Sequence, residues 1–95
     1  MVRQALLLAS QKAPTDAKIS YNLALILVRT GEVNEAIKTF DKTIELKPNY
    51  RDARFTYALL LIKNKEIQKA KEQLNYILEK IDPNDTITQE QLNKI

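Results

Sequence analysis

The stretch Tyr21-Asn22-Leu23-Ala24-Leu25-Ile26-Leu27, followed by Gly31-Glu32, by Glu35-Ala36-Ile37 and Phe40, and closed by Leu46-Lys47-Pro48-Asn49, decides the fold. Shifted by 34 residues the chain matches itself: Tyr21 falls on Phe55, Ala24 on Ala58, Leu25 on Leu59, Leu27 on Leu61 and Val28 on Ile62. The match continues with Arg29 on Lys63, Glu32 on Glu66, Val33 on Ile67, Ala36 on Ala70, Phe40 on Leu74, Ile44 on Leu78 and Glu45 on Glu79. Pro14 falls on Pro48, but Pro83 stands one residue late, which implies a single insertion near Lys80-Ile81-Asp82. A fixed period in this range marks a stack of small units that bury a continuous core only together.

Each unit reads as two helices. The first is expected over about Asp16 to Thr30 and again over about Tyr50 to Asn64, the second over about Asn34 to Lys47 and about Gln68 to Ile81. Start signals follow each proline: Thr15-Asp16, Asn49, and Asn84-Asp85-Thr86, with Gln89 three residues after Thr86 as in a capping box. Gly31, the only glycine, stands at the turn between the helices of the first unit, where a positive φ is favoured. The second unit has Asn64-Lys65 there, and Asn64 is the expected left-handed residue. Ala24, Ala58, Ala36 and Ala70 let helix axes approach, while Leu23, Ile26, Leu27, Ile37, Phe40 and Ile44 supply bulk and are expected in the core.

Composition agrees and removes most chemistry. The 95 residues (10.9 kDa) are 44% hydrophobic and 28% charged, with one Gly and three Pro, which suits helices and not hairpins. There is no Cys and no His, so disulfides, thiolate chemistry, the commonest general base and the commonest zinc ligand are all missing. The net charge of +3 is spread among interspersed acids and bases. The longest apolar runs, Leu23 to Val28 and Ala58 to Ile62, fall far short of the roughly 20 residues that span a bilayer. Met1-Val2-Arg3-Gln4 precede only the short run Ala5 to Ala9 without a small-residue cleavage site, so no signal peptide is expected.

With those residues in register, the sequence resembles the tetratricopeptide repeat (TPR) family. Residues 17–50 resemble one complete repeat and residues 51–84 a more divergent one. Residues 1–14 resemble the closing helix of an earlier repeat, and residues 85–95 the opening or capping helix of a later one, with Leu92 at the place of Leu23 and Tyr57. Ser20 and Arg54 stand where the family often has Trp, and Thr43 replaces a usual Ala. The resemblance implies an all-α helix-turn-helix array, an α-solenoid of about six helices in a right-handed superhelical stack, forming a single domain. A register that opens and closes inside repeats favours a piece of a longer array over a complete small protein.

In this family the first helix of each repeat lines a concave groove that receives a peptide or a partner's helix. Carried over, the groove contains Lys18, Tyr21, Asn22, Leu25, Val28 and Arg29 from one repeat, and Asp52, Phe55, Thr56, Leu59, Ile62 and Lys63 from the next. Tyr21, Leu25, Val28, Phe55, Leu59 and Ile62 form an apolar stripe edged by Arg29 and Lys63. First helices that are apolar almost all round are either covered on both sides or have a partner. Chaperone-binding members clamp a C-terminal carboxylate with Lys, Asn and Arg on these faces. Here Tyr21, Leu25, Asp52 and Thr56 occupy the required places and only Asn22 is compatible, so no such clamp is expected.

The expected function is therefore a protein–protein interaction module or scaffold that binds an apolar peptide or amphipathic helix, without catalysis or cofactor. Self-association, a homodimer through the groove or the open terminal helices, is the competing expectation. Nucleic acid is disfavoured: Lys63, Lys65, Lys69 and Lys71 cluster and Tyr21, Phe55, Tyr57 and Tyr76 could stack bases, but Glu66 and Glu72 interrupt the cluster. Glu32 and Glu66 repeat as acids near helix starts, a dipole position and not a catalytic pair. No phosphate loop, metal-ligand spacing or nucleophile–base set is present in the sequence. Compartment stays open, with the cytoplasm favoured and a soluble domain of a longer, membrane-associated bacterial protein as the alternative.

Overall fold

The computed structural model describes residues 16–95. The closing helix expected over residues 1–14 lies outside them. Among the described residues there are five α-helices and no strand. They are α1 (Ala17–Arg29), α2 (Val33–Leu46), α3 (Arg51–Lys63), α4 (Ile67–Tyr76) and α5 (Thr86–Asn93), with a π-helical segment, Ile77–Ile81, running on from α4. The chain divides into two compact units, one ending at Pro48 and the other spanning Asn49–Ile95.

In the first unit α1 folds back on α2. The apolar face of α1 repeats at three and four residues, so Ser20, Leu23, Ala24 and Leu27 turn inward. They meet Ala36, Phe40 and Thr43 of α2, all fully buried. Ile26, Ile37 and Ile44, expected in the core, are only half-buried, because each lies a residue off the inward row of its helix.

Two departures from the family pattern prove to be one arrangement. Ser20 Oγ lies 2.7 Å from Thr43 Oγ1, and the Thr43 hydroxyl donates to the Thr39 carbonyl at 2.7 Å. Two small hydroxyls satisfying one another fill, at the helix crossing, the place where a bulky ring opposite an alanine is usual. Burying a hydroxyl costs free energy unless it is hydrogen-bonded, as both of these are.

In the second unit α3 packs on α4 and on the π-helical segment, and α5 packs on α4 and the same segment. Ala53, Tyr57, Ala58, Leu60 and Leu61 of α3 are buried, as are Ala70, Leu74, Ile77 and Thr88. Arg54, at the place of Ser20, keeps its guanidinium 3.4 Å from the Tyr76 ring centroid and donates to Gln73 Oε1 at 2.8 Å. The Tyr76 hydroxyl in turn donates to Asn49 Oδ1 at 3.1 Å. Arg54 thus rests on an aromatic face in this repeat, while Ile77, at the place of Thr43, is a fully buried apolar side chain.

The inserted residue is absorbed without breaking the helix. Asp82 N–H bonds to Ile77 O at 2.7 Å, a wider i→i+5 turn, whereas at the end of α2 Lys47 N–H bonds to Thr43 O at 3.0 Å in the usual i→i+4 manner. A π-turn is the local solution when one extra residue enters a helix whose two ends are already held by packing.

The inter-helix turns superimpose by register. Gly31 N–H bonds to Val28 O and Glu32 N–H to Leu27 O; Lys65 N–H bonds to Ile62 O and Glu66 N–H to Leu61 O. This is the Schellman pattern, with the left-handed residue at Gly31 (φ 79°) and at Lys65 (φ 64°). Asn64, expected in that role, has φ −87°, because the period places Lys65 and not Asn64 on Gly31. A left-handed lysine carries a steric cost, so Lys65→Gly is expected to raise stability by about 0.5–1 kcal/mol in urea unfolding, the gain reduced by glycine's larger unfolded-state entropy. Gly31→Ala is expected to lose about 1 kcal/mol, through φ alone, since a Cβ there meets nothing within 4 Å.

Candidate protein-docking face

Capping fixes where the first helices begin. Asp16 accepts the amides of Lys18 at 3.0 Å and Ile19 at 3.3 Å, and Asp85 accepts that of Thr88 at 3.1 Å. The capping box expected from Thr86 and Gln89 does not form: Asp85 is the cap, and the Gln89 side chain donates to the Pro83 carbonyl at 2.9 Å. Tyr50 caps α3 with no side-chain bond to the helix. Glu32 and Glu66, the repeated acids, likewise make no cap bond; they accept from Thr30 Oγ1 at 2.7 Å and Asn64 Nδ2 at 2.8 Å across their turns. The Asn64 bond and neighbouring Lys69 hold the Glu66 carboxyl below its ordinary range.

The inward row of α1 leaves the opposite side for Lys18, Tyr21, Asn22, Leu25, Val28 and Arg29. None of the six is buried; Lys18 and Arg29 are exposed and the other four half-buried. On α3, Asp52, Leu59 and Lys63 are exposed and Phe55, Thr56 and Ile62 half-buried. Leu59 is 40% exposed, and among the described residues only Ile87, at 57%, is another large apolar side chain so open to solvent. Each repeat therefore presents an aromatic, a leucine and a branched aliphatic residue on the outer side of its first helix.

The aromatic of each set is held from behind. Tyr21 meets the buried Phe40 ring at 6.4 Å between centroids, tilted by 57°. Phe55 lies under the Arg51 guanidinium, 4.7 Å from its centroid. Arg51 also grips Asp85, through Nε at 2.7 Å and Nη2 at 3.2 Å, and reaches Asp52 at 3.2 Å. That fork holds the Asp85 carboxyl down at about 2, despite the opposing effect of burial, and raises the Arg51 guanidinium further. Burial is the main influence on Arg54 and lowers its pKa.

Arg51, Arg54 and Asp85 were not singled out by the sequence as site residues. Arg51 and Asp85 stand one period apart with opposite charges, a signal that a comparison of charges at the repeat spacing would have scored. The aromatics considered for base stacking are largely engaged: Tyr57 is 4% exposed, Tyr76 is covered by Arg54, and Phe55 is partnered by Arg51. Lys69 of the basic cluster pairs with Glu66 at 3.4 Å. Among the described residues no group of three or more His, Cys, Asp or Glu converges as a metal site.

A family model described as anaphase-promoting complex, cyclosome, subunit 3, a repeat family of TPR type, matches residues 1–80. The chain belongs to this TPR-type repeat family. Its repeats are protein–protein interaction modules and in general non-catalytic. A surface lipoprotein assembly modifier of Pasteurella multocida is 28% identical over 68 residues, covering 72% of this chain and 13% of that protein. The human protein O-mannosyl-transferase TMTC3 is 32% identical over 82 residues, covering 81% of this chain and 9% of that protein. The chain thus spans about a tenth of the length of these curated relatives. Among the described residues no helix is long and apolar enough to cross a membrane.

Proposed function

We propose that the outer side of the first helix in each repeat docks an apolar peptide or the apolar face of a partner's amphipathic helix. The observation that carries this reading is the exposure of the stripe: six apolar residues at equivalent places in two repeats, none buried, with Leu59 40% open. Apolar side chains left on the outer side of a first helix are more than the folding of its own unit requires, and they suit a docking face. The two relatives carry names with unrelated activities and share the repeat with this chain, which supports binding as the common property.

Replacing Leu25 and Leu59 together by Glu is the test. Binding of a synthetic leucine-rich amphipathic peptide, followed by fluorescence anisotropy, is expected to weaken by at least about tenfold, the range for central apolar contacts. Helicity by circular dichroism is expected to stay at the wild-type level. Loss of helicity in the double variant would place the stripe in the core and remove the docking assignment.

A further inference from the structure

Resting on that docking reading, we infer that the second unit alone, through α3 and α5, docks a short segment that is apolar in its middle, basic at one end and acidic at the other. The two large apolar side chains most open to solvent among the described residues, Leu59 and Ile87, both belong to this unit, one on α3 and one in the first turn of α5. These helices run the same way: α4 returns along α3 after the turn at 64–66, and α5 returns along α4 and the π-helical segment after the turn at 82–85. Their starts are joined, because Arg51 in the first turn of α3 holds Asp85, the cap of α5, at 2.7 Å.

Charge on this side is sorted along the helices. Asp52 stands in the first turn of α3 and Glu90 in the second turn of α5, whereas Lys63 ends α3 and Lys94 caps the end of α5. All four are exposed. Once the insertion is counted, Glu90 and Lys94 take the places of Phe55 and Leu59, so they lie on the row of α5 equivalent to the outer row of α3. Among the described residues Glu90, Lys63 and Lys94 make no ion pair, although Glu90 and Lys94 are one helical turn apart. Arg51 is shared between Asp52 and Asp85, so those three side chains keep a net negative charge. The helix dipole accounts for an acid in a first turn and a base in a last turn, but not for Glu90, where the earlier repeats carry Tyr21 and Phe55. A segment with a cation over Asp52 and Glu90 and a carboxylate over Lys63 and Lys94 meets opposite charge at both ends and apolar side chains between them.

Three labelled synthetic peptides test this, alike in a leucine-rich centre and flanked by Lys and Glu, by Lys at both ends, or by Glu at both ends. Fluorescence anisotropy is expected to give the mixed peptide about fivefold tighter binding than either of the others at low salt, with the advantage shrinking as salt is added. Asp52→Asn with Glu90→Gln is expected to make the all-Glu peptide the tightest, and Lys63→Gln with Lys94→Gln the all-Lys peptide, with circular dichroism confirming that both variants fold. Leu25→Glu, in the other unit, is expected to leave the ranking unchanged. Equal affinity for the three peptides would overturn this inference and leave the docking reading in place, whereas no binding of any would overturn both. A mixed-peptide preference that survives both pairs of substitutions would overturn the assignment to these four residues. A dimer dissolved by either pair would make a second copy of the chain the occupant and overturn the inference as well.

Discussion

Phe40→Ala is expected to remove about 3–5 kcal/mol of stability, and Leu74→Ala, one period later, about 2–5 kcal/mol. Both side chains are fully buried at the centre of a helix pair, so truncation loses apolar transfer and leaves a cavity. A domain of this size has only about 5–15 kcal/mol in total, so either variant approaches the edge of folding at ambient temperature. Urea unfolding followed by far-ultraviolet circular dichroism gives the values. The contrast that matters is with Leu25→Ala, on the half-buried outer side of α1, for which a loss below about 1.5 kcal/mol is expected. Similar losses at Phe40 and Leu25 would mean that the inward and outward rows of the repeat have been confused.

Asp85→Ala is expected to cost about 2–3 kcal/mol, because one carboxylate both caps α5 and neutralises Arg51. Asp85→Asn keeps a good cap and loses the charge, so about 1 kcal/mol is expected for it. The pH dependence follows from the same contact. The folded chain holds this carboxyl at about 2 against an ordinary 3.8, so protons bind more readily to the unfolded chain. The contribution is complete above about pH 4 and is lost as pH falls toward about 2. Its full linkage value is about 2 kcal/mol, reduced to about 1 because Arg51 keeps 30% of its side chain in solvent. Acid titration of stability is expected to converge for wild type and Asp85→Asn in that window; parallel curves would assign the acid sensitivity to other carboxylates.

The period made most of this fold legible, since equivalent residues face equivalent neighbours. Helix limits lie within one or two residues of those the pattern predicts, and Gly31 takes the left-handed conformation that its place in the turn demands. Local preference misled where register decided: Asn64 has the better intrinsic tolerance of a left-handed backbone, yet Lys65 occupies the position. The late proline betrayed an insertion, but only the hydrogen bond from Asp82 to Ile77 shows that a π-turn absorbs it. The outer row of Tyr21, Leu25, Val28, Phe55, Leu59 and Ile62 follows from laying the family's register on the two first helices, and the structure adds that none of the six is buried. The pairing of Ser20 with Thr43, and of Arg54 with Tyr76, is not legible in the sequence, because each joins residues on different helices about twenty positions apart that no spacing rule links.

On the proposed reading, the apolar outer side of α1 and that of α3 are each open to a partner. Light scattering on a size-exclusion column, at two well-separated concentrations of this 95-residue chain, tests it most directly. An uncovered face predicts a mass of 10.9 kDa at both concentrations. A stable dimer whose mass falls to the monomer value in Leu25→Glu with Leu59→Glu would contradict it, by showing that a second copy of the chain already covers the face.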